Sequence, residues 1–201
     1  MTKIKHNENR ERRFFETELR IEKRKDESPV IIGHGAVFNS LSENLGGFRE
    51  KIEPGAFDEV IENDVRALIN HDSNLILART KSGTLKLSTD SKGLGFEIDP
   101  PDTTYARDLL ISLGRGDISQ SSFSFSVKKD TWGEDENGDI VRTINKVARL
   151  FDVSPVTFPA YPDADVAKRS FDDYIKSKEP EIDAEKERIE GRIKEMNKSK
   201  F

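Results

Sequence analysis

Phe15, Thr17, Leu19 and Ile21 alternate with Glu16, Glu18, Arg20 and Glu22, the two-residue period of a half-buried strand. Asp26-Glu27-Ser28-Pro29 reads as a turn and residues 30–38 as a second strand, so an opening hairpin is predicted. Residues 39–47 are polar and glycine-bearing, a loop; 48–52 form a short strand, and 56–61 one or two helical turns after Pro54-Gly55. The apolar run 65–70 predicts a buried strand that delivers His71 at its end. Three short strands follow at 75–78, 84–88 and 94–98, with Ser82-Gly83 and Ser91-Lys92-Gly93 as turns between them. Asp102 or Thr103 caps a helix over 104–113, whose Leu109, Leu110 and Leu113 share one face. The last strands span 120–129, 139–146 and 150–158, with Asp135-Glu136-Asn137-Gly138-Asp139 turning between the first two. About eight strands and one firm helix predict a β-rich domain, either a sandwich or a barrel.

Charge changes the picture at the ends. The 201 residues include 33 basic and 38 acidic side chains, a net of −5. Residues 171–201 hold 8 basic and 9 acidic side chains, a density that favours solvation over packing. Ile175, Ile182, Ile189 and Met196 recur there every seven residues, with Pro180 interrupting, which suits a long surface helix or disorder better than a specific coiled coil. The organisation expected is a flexible N-terminal arm over 1–11, one domain over 12–170, and a charged helical or disordered tail over 171–201.

Composition then removes function classes. With no Cys there is no disulfide framework, zinc ribbon or thiol nucleophile, and three His are too few for a multi-histidine metal site. No apolar run approaches the ~20 residues of a membrane span, and residues 1–11 lack the apolar stretch of a signal peptide, so a cytoplasmic setting is expected. The acidic balance and the lack of a clustered basic–aromatic face argue against a nucleic-acid partner.

One strand carries candidate chemistry. In Ser121-Ser122-Phe123-Ser124-Phe125-Ser126-Val127, one parity is apolar and the other lines up Ser122, Ser124 and Ser126. That polar side either faces water or presents a nucleophile, and a serine hydroxyl attacks only when a base takes its proton. His71 is the best-placed base, at the point where a buried strand emerges into a loop; His6 lies in a polar tail and His34 inside an apolar strand. A third group must orient the imidazole. Asp152 interrupts Leu150-Phe151-Asp152-Val153, where a carboxylate needs a partner or faces water, and Asp72 beside His71 is the weaker alternative.

A series of short motifs runs along the chain: Gly33-His34-Gly35-Ala36-Val37-Phe38-Asn39, Glu53-Pro54-Gly55-Ala56-Phe57, Asn70-His71-Asp72 and Ser82-Gly83-Thr84-Leu85-Lys86-Leu87. It continues with Lys92-Gly93-Leu94, Pro101-Asp102-Thr103, the run from Gly116 through Ser122 to Phe125, and Asp152-Val153-Ser154-Pro155-Val156-Thr157-Phe158-Pro159-Ala160-Tyr161. In order and spacing these motifs resemble the prohead (capsid maturation) serine proteases of tailed bacteriophages, distant relatives of the herpesvirus assemblins. The likeness spans roughly residues 18–166. It implies a closed or nearly closed β-barrel with flanking helices, and a protease domain over 12–170. It also implies His71, Ser122 and Asp152 as the catalytic residues, although relatives more often show Glu at the position of Asp152. No metal or cofactor is implied. Substrates would be scaffold segments or a scaffolding extension of the major capsid protein, with the protease itself among them, inside assembling proheads in the host cytoplasm. Self-association is compatible with this reading. The rival class is a non-enzymatic, scaffold-like protein whose tail docks on capsid subunits.

Overall fold

A computed structural model of the chain describes residues 10–15, 19–25, 28–158 and 164–198. The described strands are β1 (Glu11–Phe15), β2 (Arg20–Lys23), β3 (Pro29–Val37), β4 (Arg49–Ile52), β5 (Arg66–Ile69), β6 (Asp72–Arg79), β7 (Leu85–Thr89), β8 (Gly93–Ile98), β9 (Gln120–Glu134) and β10 (Ile140–Val156). Two helices join them, α1 (Thr104–Arg115) and α2 (Ala164–Lys198). Of the strand expected from Phe15 to Glu22, residues 16–18 lie outside the described residues; the described parts serve different sheets, Phe15 ending β1, which pairs with β9, and β2 forming the opening hairpin with β3.

The expected barrel does not form. The strands divide into two open sheets, one ordered β1-β9-β10-β5-β6 with β4 also on β10, the other β2-β3-β8-β7. Closure fails at both seams, since neither β6 with β7 nor β1 with β2 shares a ladder. A 3₁₀ turn at Thr80–Ser82, ended by Gly83 at φ 74°, carries the chain from one sheet to the other, where a barrel would continue the ladder. Alternation assigns each strand a buried face but says nothing about which edges join, so barrel and sandwich share one pattern.

The sheets pack face to face. Phe123, Phe125, Val153 and Ala67 of the larger meet Ile31, Ala36, Leu94 and Phe96 of the smaller in one core. Each fully buried Phe there contributes about 1.5–3 kcal/mol. Close approach explains two glycines: a Cβ on Gly35 would crowd Val153 at 3.3 Å, and one on Gly93 would lie 1.9 Å from the Ala36 carbonyl oxygen. The residues expected as two final strands form a single β10, bent by bulges against β9. α1 buries Ala106, Leu109 and Leu113 and ends at Gly116 with φ 82°. Thr103 is its N-cap by backbone shape, without a side-chain capping bond. α2 is anchored at its start, where Phe171 stacks on Phe48 at 5.5 Å and Tyr174 on Trp132 at 4.9 Å. Further on, Ile182, Ile189 and Ile193 are exposed.

The larger sheet owes its first edge to charge. Glu11 and Arg13 of β1, Glu50 of β4 and Arg142 of β10 are all buried. Arg13 donates to both oxygens of Glu50 at 2.8 and 2.9 Å and to Glu11 at 2.5 Å; Arg142 donates to Glu11 at 2.8 Å and Glu50 at 3.1 Å. Arg142 also donates its Nε–H to the half-buried Asp130 at 2.7 Å, so two cations in fork geometry meet three carboxylates, which offsets the desolvation that any one alone would suffer. The network fastens β1 along β9.

Candidate active site

Three neighbouring segments deliver the candidate residues. On β9 and β10 the antiparallel register sets Ser122 opposite Ser154 and Ser124 opposite Asp152, so all four share one face. β5 lies parallel on the other side of β10, with Arg66 beside Asp152, and the backbone N–H of Asn70 donates to the Pro155 carbonyl at 3.0 Å. The chain then reverses through Asn70 and His71 at φ 53° and 58°, as a two-residue type I′ hairpin turn requires. That turn folds the imidazole back over the β9–β10 face. Asn70 fixes it there: its Oδ1 accepts the Thr157 N–H at 2.8 Å and its Nδ2 donates to Thr157 Oγ1 at 3.2 Å.

The three side chains form one hydrogen-bonded chain. His71 Nε2 lies 2.7 Å from Ser122 Oγ, and His71 Nδ1 lies 2.5 Å from Asp152 Oδ1. A carboxylate can only accept, so Nδ1 carries a proton and donates it, which leaves Nε2 as the acceptor facing the serine. Ser122 Oγ is also 2.9 Å from the Arg13 carbonyl oxygen of β1. Its single hydrogen points to one acceptor at a time; directed at Nε2, it is the proton a base would remove.

Burial tightens these contacts. Ser122 is fully buried, and the His71 and Asp152 side chains are 3% and 2% exposed. Burial by itself pushes the Asp152 carboxyl up, but the hydrogen bonds from His71 and Ser154 and the charges of His71 and Arg10 outweigh it and hold it below its ordinary value. Beside His71 opens a cleft of about 380 Å³ lined by Arg12, Asn70, His71, Val156, Thr157 and the exposed Phe158.

The other candidates fall elsewhere. Ser124 and Ser121 are buried as well, but Ser121 donates to the His34 carbonyl at 2.5 Å and Ser124 accepts from Arg10. The polar side of β9 around Ser122 therefore does not face water. Asp72 turns away to accept from Asn74 at 2.8 Å, and His34 pairs with Asp90 at 2.9 Å. His6 lies outside the described residues. Pattern reading missed three contributors: Asn70, Ser154, whose Oγ donates to Asp152 Oδ1 at 2.9 Å, and Arg10, whose Nη2 donates to Asp152 Oδ2 at 2.5 Å. Asn70 gave no clear signal, since the apolar run 65–69 is followed by the polar stretch 70–74 and the turn dipeptide carries no glycine.

A family model described as caudovirus prohead serine protease matches residues 15–177. The chain belongs to that family. Membership makes it a peptidase of the serine class, acting in the capsid maturation of tailed bacteriophages. Comparison with curated proteins gives no match, and comparison with solved structures gives none.

Proposed function

We propose that this prohead protease is a Ser-His-Asp endopeptidase that cuts scaffold segments, or a scaffolding extension of the major capsid protein, inside assembling proheads in the host cell. Its own chain is a further substrate. Ser122 Oγ attacks the scissile carbonyl carbon while His71 Nε2 takes the hydroxyl proton. The proton then passes to the leaving amine, and water, activated by the same imidazole, releases the acyl group from Ser122. Asp152 keeps the imidazole in the tautomer with Nδ1 protonated and stabilises the imidazolium. Backbone N–H groups facing the developing oxyanion supply the remaining stabilisation. The observation that carries this reading is the unbroken Ser122–His71–Asp152 hydrogen-bonded chain at 2.7 and 2.5 Å. Family membership supports the substrate class. The cleft beside His71 offers the peptide an approach, with Arg12 and Phe158 on its walls.

The test is labelling by a fluorophosphonate, followed by mass spectrometry of the chain alone and co-expressed with the capsid protein of its phage. Ser122→Ala should abolish both labelling and cleavage, with turnover falling on the order of 10⁶-fold. Ser124→Ala should cost far less. Equal losses at both positions, or an active Ser122→Ala chain, refute the assignment.

A further inference from the structure

Asp152 has two carboxylate oxygens, and His71 and Ser154 use only one. The other, Oδ2, receives the Nη2–H of Arg10 at 2.5 Å, while Arg10 Nε–H goes to Ser124 Oγ. The guanidinium also lies over the Phe151 ring, 4.8 Å from its centroid. The Asp152 side chain is 2% exposed and that of Arg10 27%, so the arginine stands between the buried carboxylate and solvent. We propose that Arg10 is a positioning residue of this protease, which fixes the Asp152 carboxylate for His71 and opposes protonation of the resting imidazole. This rests on the Ser122–His71–Asp152 reading above.

The two effects have separate physical origins. Ser124 sits opposite Asp152 in the β9–β10 register, so a planar guanidinium that donates to both from one side ties the carboxylate plane to the sheet. A carboxylate held only through Oδ1 can rotate and lose its aim at Nδ1. The second effect is charge. A fixed cation on the far oxygen offsets part of the negative field that would otherwise favour imidazolium, so the base stays free at lower pH. Other charged groups face the same place: Arg12 from β1 lines the cleft with His71, and Arg149 of β10 lies over the Phe151 ring. Arg66 of β5 is drawn to Asp64 at 3.3 Å, and Asp72 of β6 is turned to Asn74. They remain in any Arg10 variant, so they set the starting point and not the change. Arg10 precedes residue 15, where the family match begins, and the Glu11–Arg13–Glu50–Arg142 network holds its strand in place.

The experiment is the rate of fluorophosphonate labelling against pH on the full chain. For Arg10→Ala the maximal labelling rate should fall about tenfold with the half-saturating probe concentration little changed, and the acid limb should move to higher pH. Arg10→Lys keeps the charge without the fork, so its acid limb should stay with the wild type while the maximal rate falls part of the way. A parallel measurement follows the His71 ring signals by NMR in the Ser122→Ala chain, with and without Arg10→Ala. It needs no activity and reads only folded protein; an upward shift of the titration midpoint is expected. An unmoved acid limb together with an unmoved midpoint overturns the proposal, as does a maximal rate for Arg10→Ala equal to wild type. Retained labelling in His71→Ala would instead overturn the reading beneath it, whatever Arg10 does.

Discussion

Replacing Asp152 by Asn keeps the shape of the side chain and removes its charge, and the surroundings dictate what the amide must do. An amide has one oxygen, and two donor-only partners compete for it: the Arg10 guanidinium on the Oδ2 side and the His71 Nδ1–H on the Oδ1 side. The permanently charged guanidinium wins, so the NH₂ group faces Nδ1. The imidazole then carries its proton on Nε2 and donates to Ser122 Oγ, the reverse of what a base requires. The loss should be about 10⁴-fold in turnover, equivalent to about 5 kcal/mol of transition-state stabilisation. The assay is the rate of Ser122 labelling or peptide cleavage, read beside thermal melting. Stability should depend on pH in a defined sense. The folded Asp152 carboxyl titrates below its ordinary value, so its contribution is present above the unfolded value near 3.9 and is lost as pH falls through the folded one. The difference in stability between wild type and Asp152→Asn should therefore shrink below about pH 4. Adding Arg10→Ala to Asp152→Asn frees the amide to turn its oxygen to Nδ1 and should recover part of the activity. An Asp152→Asn enzyme within tenfold of wild type refutes the tautomer argument, and Asp72→Ala losing more than Asp152→Ala reassigns the third member.

Asn70→Ala removes both side-chain bonds to Thr157 and loosens the turn that aims His71; turnover should drop about tenfold while stability falls by only about 1–2 kcal/mol, seen by comparing kcat with Tm. Glu50→Ala leaves Arg13 and Arg142 to share Glu11, with Asp130 still on Arg142, and should cost about 1–3 kcal/mol in a denaturant titration; an unchanged midpoint would show that the network contributes nothing net. Ending the chain after Ser170 deletes the Phe171 and Tyr174 stacking on Phe48 and Trp132 and should lower Tm by several degrees, about 1–3 kcal/mol. Ending it after Lys178 keeps those rings and should leave Tm and peptide cleavage unchanged; equal melting of the two truncated chains would show that the aromatic anchor is idle.

Elements governed by local chemistry were legible along the chain. The 2.0-residue period located strands, Gly83 and Gly138 marked turns, and the Leu109 and Leu113 spacing located a helix that β-rich neighbours do not disturb. His71 ending an apolar run and Asp152 interrupting one were local anomalies, but the choice of His71, Ser122 and Asp152 came from the resemblance of the motif order to the family. Longer-range choices were not written in any window of residues. Barrel or sandwich depends on whether β6 pairs with β7 and β1 with β2, and neither pair of edges forms a ladder. The pairing of β1 and β2 in different sheets, and the burial of Ser122 and Ser124 by β1 and the Asn70-His71 turn, depend on residues far away in the chain. Arg10 shows the limit most plainly. In sequence it is one charge in a polar arm, 142 positions from Asp152; only pairing of β1 with β9, held by buried charges from β4 and β10, brings its guanidinium to the carboxylate. Periodicity is a property of neighbours in the chain, whereas an ion pair at that separation exists only after the sheet has assembled.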